Sequence, residues 1–456
     1  MPPDPFGFVE QSEIRERFQP LHPPLTAQAA ITEAHRCLYC FDAPCMGACP
    51  THIDVPGFIK RIADDNLRGS ARRILDANVL AGSCSRVCPV EVLCEGACVM
   101  HRHGRAPIQI ALLQRHAMDA FHASGEPLLI SPPVERKLKV ACIGGGPASL
   151  ACAAELRRHG AQVIIIERRA LAGGLNTYGV AEYKLPTVES LREVEMVREM
   201  GVEFRLNSSI ENATELLALE AEFDYVFVGV GLGAMRKISI PGEDLPAVLN
   251  ALELIAAYKT GHITRMHGSI VVVGAGNTAI DAAVAVRRLG AEMVTILYRR
   301  GPEDVTAFDF EVERARKEGV QFLWRRIPVA IRASVVGRLE LETQEVHSVD
   351  GRLQVKPDSL KAIICDHVIP AIGQSPLIEM LRELRCITTE SSHIVVDPAT
   401  GQTENPRYFA GGDCANGGRQ VVDAVADGKR AALGILAAAN QTDLTDLATK
   451  AKVQHG

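Results

Sequence analysis

The chain has 456 residues, of which 47% are hydrophobic and 23% charged, and its formal net charge is −6. That length holds about three domains of ordinary size, and the composition is that of a globular protein with large cores. The negative balance speaks against a nucleic-acid binder, which would present a basic face. The opening Met1-Pro2-Pro3-Asp4-Pro5-Phe6-Gly7 has neither a basic nor an apolar leader region, and no apolar run approaches the ~20 residues that cross a bilayer. The expected setting is the cytoplasm, where free thiols such as Cys142, Cys152, Cys365, Cys386 and Cys414 stay reduced.

Residues 1–30 are rich in proline and polar side chains and read as an irregular arm, and a short helix is expected over 27–36. Next comes a dense group of thiols. Eight of the thirteen cysteines fall between Cys37 and Cys98, in two sets of four: Cys37, Cys40, Cys45 and Cys49, then Cys84, Cys88, Cys94 and Cys98. The first set, followed by Pro50, reads C-x2-C-x4-C-x3-C-P. This is close to the ferredoxin spacing, in which the fourth cysteine serves the other of two clusters. Structural zinc usually pairs two Cys-x-x-Cys hooks, and only one is present. A disulfide framework suits small secreted domains, which this chain does not resemble. Residues 55–78 and 108–121 carry apolar positions at helical spacing. Residues 1–127 therefore read as a helical domain stapled by two iron–sulfur clusters.

A turn-rich stretch over 124–137 marks a boundary. A buried strand then runs into Gly144, Gly145 and Gly146, followed by Pro147, Ala148 and Ser149 at the head of a helix, and a second strand ends at Glu167. Strand, glycine turn, helix and acid together make the dinucleotide fingerprint. The glycines let backbone approach a pyrophosphate on the helix N-terminus, and the acid accepts from a ribose hydroxyl. The unit recurs at Gly274, Gly276, Asn277, Thr278 and Ala279. Where the acid should stand the chain has Tyr298, then Arg299 and Arg300, a change that suits a 2′-phosphate. NADPH is accordingly favoured over NADH as the visiting donor.

Further on, Gly411, Gly412 and Asp413 end a short strand, and Gln420 and Val421 lead into a helix. A carboxylate there can bind ribityl hydroxyls, and a helix N-terminus can face the electron-rich end of a flavin. Glycine-ended strands at Gly229 and Gly373 mark crossings between domains. The expected class is α/β, with the helical bis-[4Fe–4S] domain followed by two Rossmann-like domains. Residues 128–237 and 375–445 form a discontinuous FAD domain, interrupted by an NAD(P)H domain at 238–374, and 446–456 are a tail.

These motifs resemble one family across almost the whole chain, from about residue 27 to about residue 438: the glutamate synthase small subunits and the iron–sulfur flavin part of dihydropyrimidine dehydrogenase. The electron-input subunit of the bacterial two-subunit dihydropyrimidine dehydrogenases is the most similar in pattern. The resemblance implies crossed ligation, with Cys37, Cys40, Cys45 and Cys98 on one cluster and Cys49, Cys88, Cys94 and Gln114 on the other. It leaves out Cys84, which a count of eight thiolates would include. Gly174 and Leu175 join the implied flavin contacts, as does Lys184 near the flavin edge, although a solvated lysine is an equal reading. Thr306 stands where the single-chain dehydrogenase has a further basic residue, which weakens the preference for NADPH.

The implied chemistry passes electrons from the nicotinamide through FAD to the clusters, with no side-chain acid, base or nucleophile. No length remains for an FMN barrel or a pyrimidine site. The implied assembly is a hetero-oligomer in which an FMN-containing partner reduces uracil or thymine. A glutamate synthase small subunit, or a non-catalytic iron–sulfur scaffold, is the alternative.

Overall fold

The computed structural model describes residues 12–20, 22–126, 134–334, 337–349, 352–377, 389–390 and 393–440. Cys386, residues 127–133 and the tail at 446–456 lie outside them. The chain divides into two compact units. One comprises 22–177, 185–232 and 376–456, and the other 1–21, 178–184 and 233–375. The first thus joins the iron–sulfur and FAD portions, while the nicotinamide portion takes in the N-terminal arm and a short piece around Tyr183.

In the first unit the leading portion is helical: Ala27–Ala34, Pro44–Gly47, Val55–Ala63, Leu67–Ala77, Ala81–Val87 and Ile110–Ser124. The apolar periodicity expected over 55–78 is broken in the middle. Asp65 adopts φ 56° and Asn66 accepts from the Gly69 N–H as the N-cap of the next helix, a side-chain bond that starts a helix by satisfying an orphan donor. Phe58, Ile59, Ile62, Ile74 and Leu113 are fully buried among these helices.

The same unit continues into a five-stranded parallel sheet in the order Tyr408–Ala410, Tyr225–Val228, Lys139–Ile143, Gln162–Ile166, Glu203–Arg205. Buried on both faces, all of its strands but the edge strand Glu203–Arg205 read as near-continuous apolar runs. The helices Pro147–Arg158 and Val421–Asn440 pack against each other so closely that a Cβ on Gly428 would collide with the Ala148 carbonyl. This contact fixes the two helix N-termini at which the sequence places the flavin.

The second unit has a parallel sheet in the order His367–Pro370, Ser269–Val273, Met293–Tyr298, Gln321–Trp324. It also has an antiparallel sheet of Arg326–Ala333, Leu339–Val349, Arg352–Val355 and Lys361–Cys365, which the sequence reading did not anticipate. The arm holds a helix, Ser12–Arg17, and Phe18 stacks on Tyr258 with ring centroids 5.0 Å apart.

Candidate cofactor-binding sites

Two cavities account for the two sets of cysteines. Cys37, Cys40, Cys45 and Cys98 line one, with Leu38, Val55, Ile59 and Met100. Cys49, Cys84, Cys88, Cys94 and Gln114 line the other, together with Asn78 and Val422. Cys98 thus lines the cavity of Cys37, Cys40 and Cys45, and Cys49 lines that of Cys84, Cys88 and Cys94. Among the described residues no three His, Cys, Asp or Glu side chains converge as they would on a single ion. The thiols instead surround cavities, an arrangement that fits a multi-iron cluster better than zinc.

Electrostatics agree with a cationic guest. Burial pushes the Cys45 thiol up to about 11, with the neighbouring Cys37 and Cys98 adding to the effect. Burial also raises Cys37 and Cys94, with Cys40 and Cys98 contributing at the first and Glu95 and Cys49 at the second. Thiolates gathered this closely repel one another, and bound iron reverses that penalty. Gln114 is 7% exposed and donates from Nε2 to the Ala81 carbonyl at 2.8 Å, which leaves its amide oxygen free to serve as a ligand.

The expected flavin cradle would rest on the first fingerprint. Gly144 takes φ 92°, and a Cβ there would sit 2.6 Å from the Gly229 carbonyl oxygen, so only glycine fits. Gly146 caps the helix at Pro147–Arg158. Glu167 is 8% exposed and its two oxygens accept from the Gly145 and Arg169 N–H groups, each at 2.8 Å. Gly174, at φ 57°, approaches Gly146 so closely that a Cβ would lie 2.8 Å from the Gly146 Cα, and Leu175 follows at the next helix. Ala148 faces Gly412, whose added Cβ would lie 3.0 Å from its own. Asp413 accepts from the Arg419 N–H at 3.3 Å, and burial raises its carboxyl. Gln420 and Val421 open the helix Val421–Asn440.

Two buried polar atoms in this cradle, Ser149 Oγ and Asn176 Oδ1, have no hydrogen-bond partner among the described residues. Native interiors rarely tolerate such atoms without a ligand or water. The residues fit the cofactor. Asn176 escaped the sequence reading because it lies outside the glycine fingerprint.

The second fingerprint repeats the design in the other unit. A Cβ on Gly274, at φ 130°, would collide with the Ala371 carbonyl, and Gly276 caps the helix Asn277–Leu289, which begins with Asn277, Thr278 and Ala279. Asn277 Oδ1 is another buried atom without a partner among the described residues. Thr306 stands by the turn, with Oγ1 3.4 Å from a Cβ built on Gly276. Arg299 and Arg300 are exposed beyond the strand Met293–Tyr298, and among the described residues neither guanidinium has a recorded ion pair. Gly373, at φ 98°, has open space on its Cβ side.

Lys184 is the expected site residue that the structure places differently. It is not solvated. Its ammonium is buried in the nicotinamide unit, paired with Asp281 at 2.6 Å and with Glu311, while Tyr183 OH donates to Asp281 at 2.9 Å. Asp281 lies on the helix that begins at Asn277, so Lys184 anchors that helix.

Two glycine-cradled nucleotide folds and a helical portion with two thiol-lined cavities define an iron–sulfur flavoprotein oxidoreductase. Residues 138–428 match the family described as pyridine nucleotide-disulphide oxidoreductase, and residues 14–126 match that described as dihydropyrimidine dehydrogenase domain II, 4Fe-4S cluster. The chain belongs to the pyridine nucleotide-disulphide oxidoreductases, in the group whose Rossmann-like FAD and NAD(P)H domains follow a [4Fe–4S] domain. It is 33% identical to the glutamate synthase [NADPH] small chain of Halomonas elongata, over 92% of this chain and 93% of that protein. The glutamate synthase [NADPH] small chain of Escherichia coli is 31% identical over the same shares.

Among solved structures, FprA of Mycobacterium tuberculosis in complex with NADPH superposes with a TM-score of 0.54 at 17% identity, covering 69% of this chain and 90% of that one. The thioredoxin reductase of Lactococcus lactis gives 0.53 at 23% identity, with 67% and 100% covered. These two establish the fold. Among the described residues no helix is long and apolar enough to cross a membrane.

Proposed function

We propose that this chain is the NADPH-oxidising input subunit of a heteromeric oxidoreductase of the glutamate synthase type, feeding electrons to a larger partner. The observation that carries the reading is a shared helix. Val421, at the N-terminus of Val421–Asn440, is an expected flavin contact, and the next residue, Val422, lines the cavity of the second cysteine set. Bound FAD would accept a hydride from the nicotinamide and release electrons one at a time to the clusters.

The chain's own part is binding and positioning. Gly144, Gly146, Glu167 and Asp413 would hold FAD, and Gly274, Gly276 and Asn277 the coenzyme's pyrophosphate. Arg299 and Arg300 would take its 2′-phosphate, which favours NADPH. Cys37, Cys40, Cys45 and Cys98 would ligate the first cluster, and Cys49, Cys88, Cys94 and Gln114 the second. Phe41, 98% exposed beside Cys40, gives the first cluster's edge an apolar surface of the kind a partner covers.

The small-chain relatives favour this reading over the pyrimidine one expected from the sequence. Gln114 and the match of residues 14–126 keep the second reading open, in which the partner carries FMN and reduces uracil or thymine. An anaerobic pull-down with this chain as bait distinguishes them. A large amidotransferase chain supports the first, an FMN protein of pyrimidine-reductase activity the second, and a fully active chain with no partner contradicts both.

A further inference from the structure

We infer that Arg325 is a third cation of the site for the coenzyme's 2′-phosphate, held on Glu303 until the phosphate displaces that carboxylate. The inference rests on the reading of Arg299 and Arg300 as the other two cations. The strands Met293–Tyr298 and Gln321–Trp324 run side by side in parallel, with Tyr298 opposite Trp324. Just past their ends the Arg325 N–H donates to the Arg300 carbonyl at 3.1 Å. Both arginines thus emerge at the carboxyl ends of neighbouring parallel strands, the edge at which α/β sheets take their ligands. Arg325 adopts φ 55°. A long side chain rarely takes this left-handed conformation, and residues held in it cluster at ligand clamps.

The Arg325 guanidinium donates from Nη2 to Glu303 Oε1 at 2.8 Å, with side chains 57% and 59% exposed. Glu303 bends back over its own turn, so a Cβ on Gly301 would collide with the carboxylate. Its own N–H, and then Arg325, hold that carboxyl below the usual range, so it is ionised. Arg299, Arg300, Glu303 and Asp304 are all exposed around this one turn.

Magnitudes decide which anion Arg325 keeps. A single exposed carboxylate pair is weak and screened by salt. A phosphate monoester carries nearly two negative charges and three acceptor oxygens, and it matches the guanidinium fork with two parallel bonds. It therefore wins the exchange. NADH has a hydroxyl at that position and no charge with which to displace Glu303, so the ion pair persists and the two coenzymes are told apart.

The test is isothermal titration calorimetry of the full-length, cofactor-loaded chain with adenosine 2′,5′-bisphosphate and, separately, with 5′-AMP, which lacks only the 2′-phosphate. Arg325→Ala is expected to weaken the bisphosphate about tenfold, the scale of one charge-assisted bond, and to leave 5′-AMP unchanged. Glu303→Gln breaks the same ion pair but keeps the cation, and should tighten the bisphosphate about twofold to fivefold. A purely structural ion pair would move both variants in the same direction and affect both probes alike. That result overturns the proposal, as does an unchanged bisphosphate affinity in either variant. Arg325→Gly suits the left-handed backbone and should lose as much as Arg325→Ala; restored binding would lay the effect on strain and overturn it too. Arg299→Ala with Arg300→Ala separates the two readings. If only that pair of changes removes the preference for the bisphosphate, Arg325 alone is withdrawn, whereas equal binding of both probes by the unaltered chain removes the 2′-phosphate site itself.

Discussion

Lys429 Nζ donates to the carbonyl of Ala77 at 2.7 Å, across 352 residues of sequence. Arg158 adds bonds to the Leu75 and Asp76 carbonyls at 2.6 and 3.0 Å. The last carbonyls of the helix Leu67–Ala77 lack partners within that helix, and two cations from the flavin fold supply them. Asn78 and the second cysteine cavity follow immediately. Beneath them, burial opposes ionisation of Glu155, but His159, Lys429 and Arg158 outweigh it and hold the carboxyl at about 2.

Lys429→Met should therefore loosen the iron–sulfur portion. The loss of these bonds to carbonyls is expected to cost about 1–3 kcal/mol, read as a lower apparent Tm. Cluster reduction after NADPH addition should slow while flavin bleaching keeps its rate, and Lys429→Arg should behave nearly as wild type. Stopped-flow absorbance on the two variants separates the two phases.

A second link has a pH signature. Glu193 is 1% exposed and accepts from the Ser83 N–H at 2.9 Å and from its hydroxyl. Burial lifts its carboxyl to about 7, although Ser83 and Arg86 pull the other way. The folded chain thus holds a proton that the unfolded chain releases near 4.5. Stability should decline as pH rises from about 4.5 to about 7, by about 3 kcal/mol at most, and be flat above. Glu193→Gln preserves the hydrogen bonds and should abolish this slope, which apparent Tm against pH for both proteins will show.

Gly144→Ala tests the flavin cradle. At φ 92° the added Cβ is strained and meets the Gly229 carbonyl, at a cost of about 1–3 kcal/mol. The purified variant should have lost its yellow flavin while keeping its iron. Full flavin content would show that the turn is not where the pyrophosphate is held.

For the coenzyme, Arg299→Ala with Arg300→Ala should raise the KM for NADPH by about tenfold to a hundredfold, since charge-assisted bonds contribute about 1.5–3 kcal/mol. The KM for NADH should change little. Equal effects on both coenzymes would remove the arginines from 2′-phosphate recognition.

Much of this was readable in advance because local chemistry dictates it. Gly144 and Gly274 must be glycine for reasons of backbone clash, and the strands beside them are apolar on both faces, so both nucleotide folds were legible. The extent of the units was not. Phe18 and Tyr183 join the nicotinamide unit through ring contacts with partners far along the chain, such as Phe18 with Tyr258, and no local pattern announces such pairs. Lys184 was misjudged for the same reason, because the carboxylates that bury it, Asp281 and Glu311, come from distant helices.

The account is tested most directly by adding NADPH to the isolated, oxygen-free chain and recording flavin absorbance and the cluster resonance signal together. Bleaching of bound FAD followed by the appearance of reduced [4Fe–4S] signals, without any partner, is the predicted result. FAD that bleaches while bound iron stays oxidised, at potentials where the clusters are reducible, would contradict it, as would zinc in place of iron.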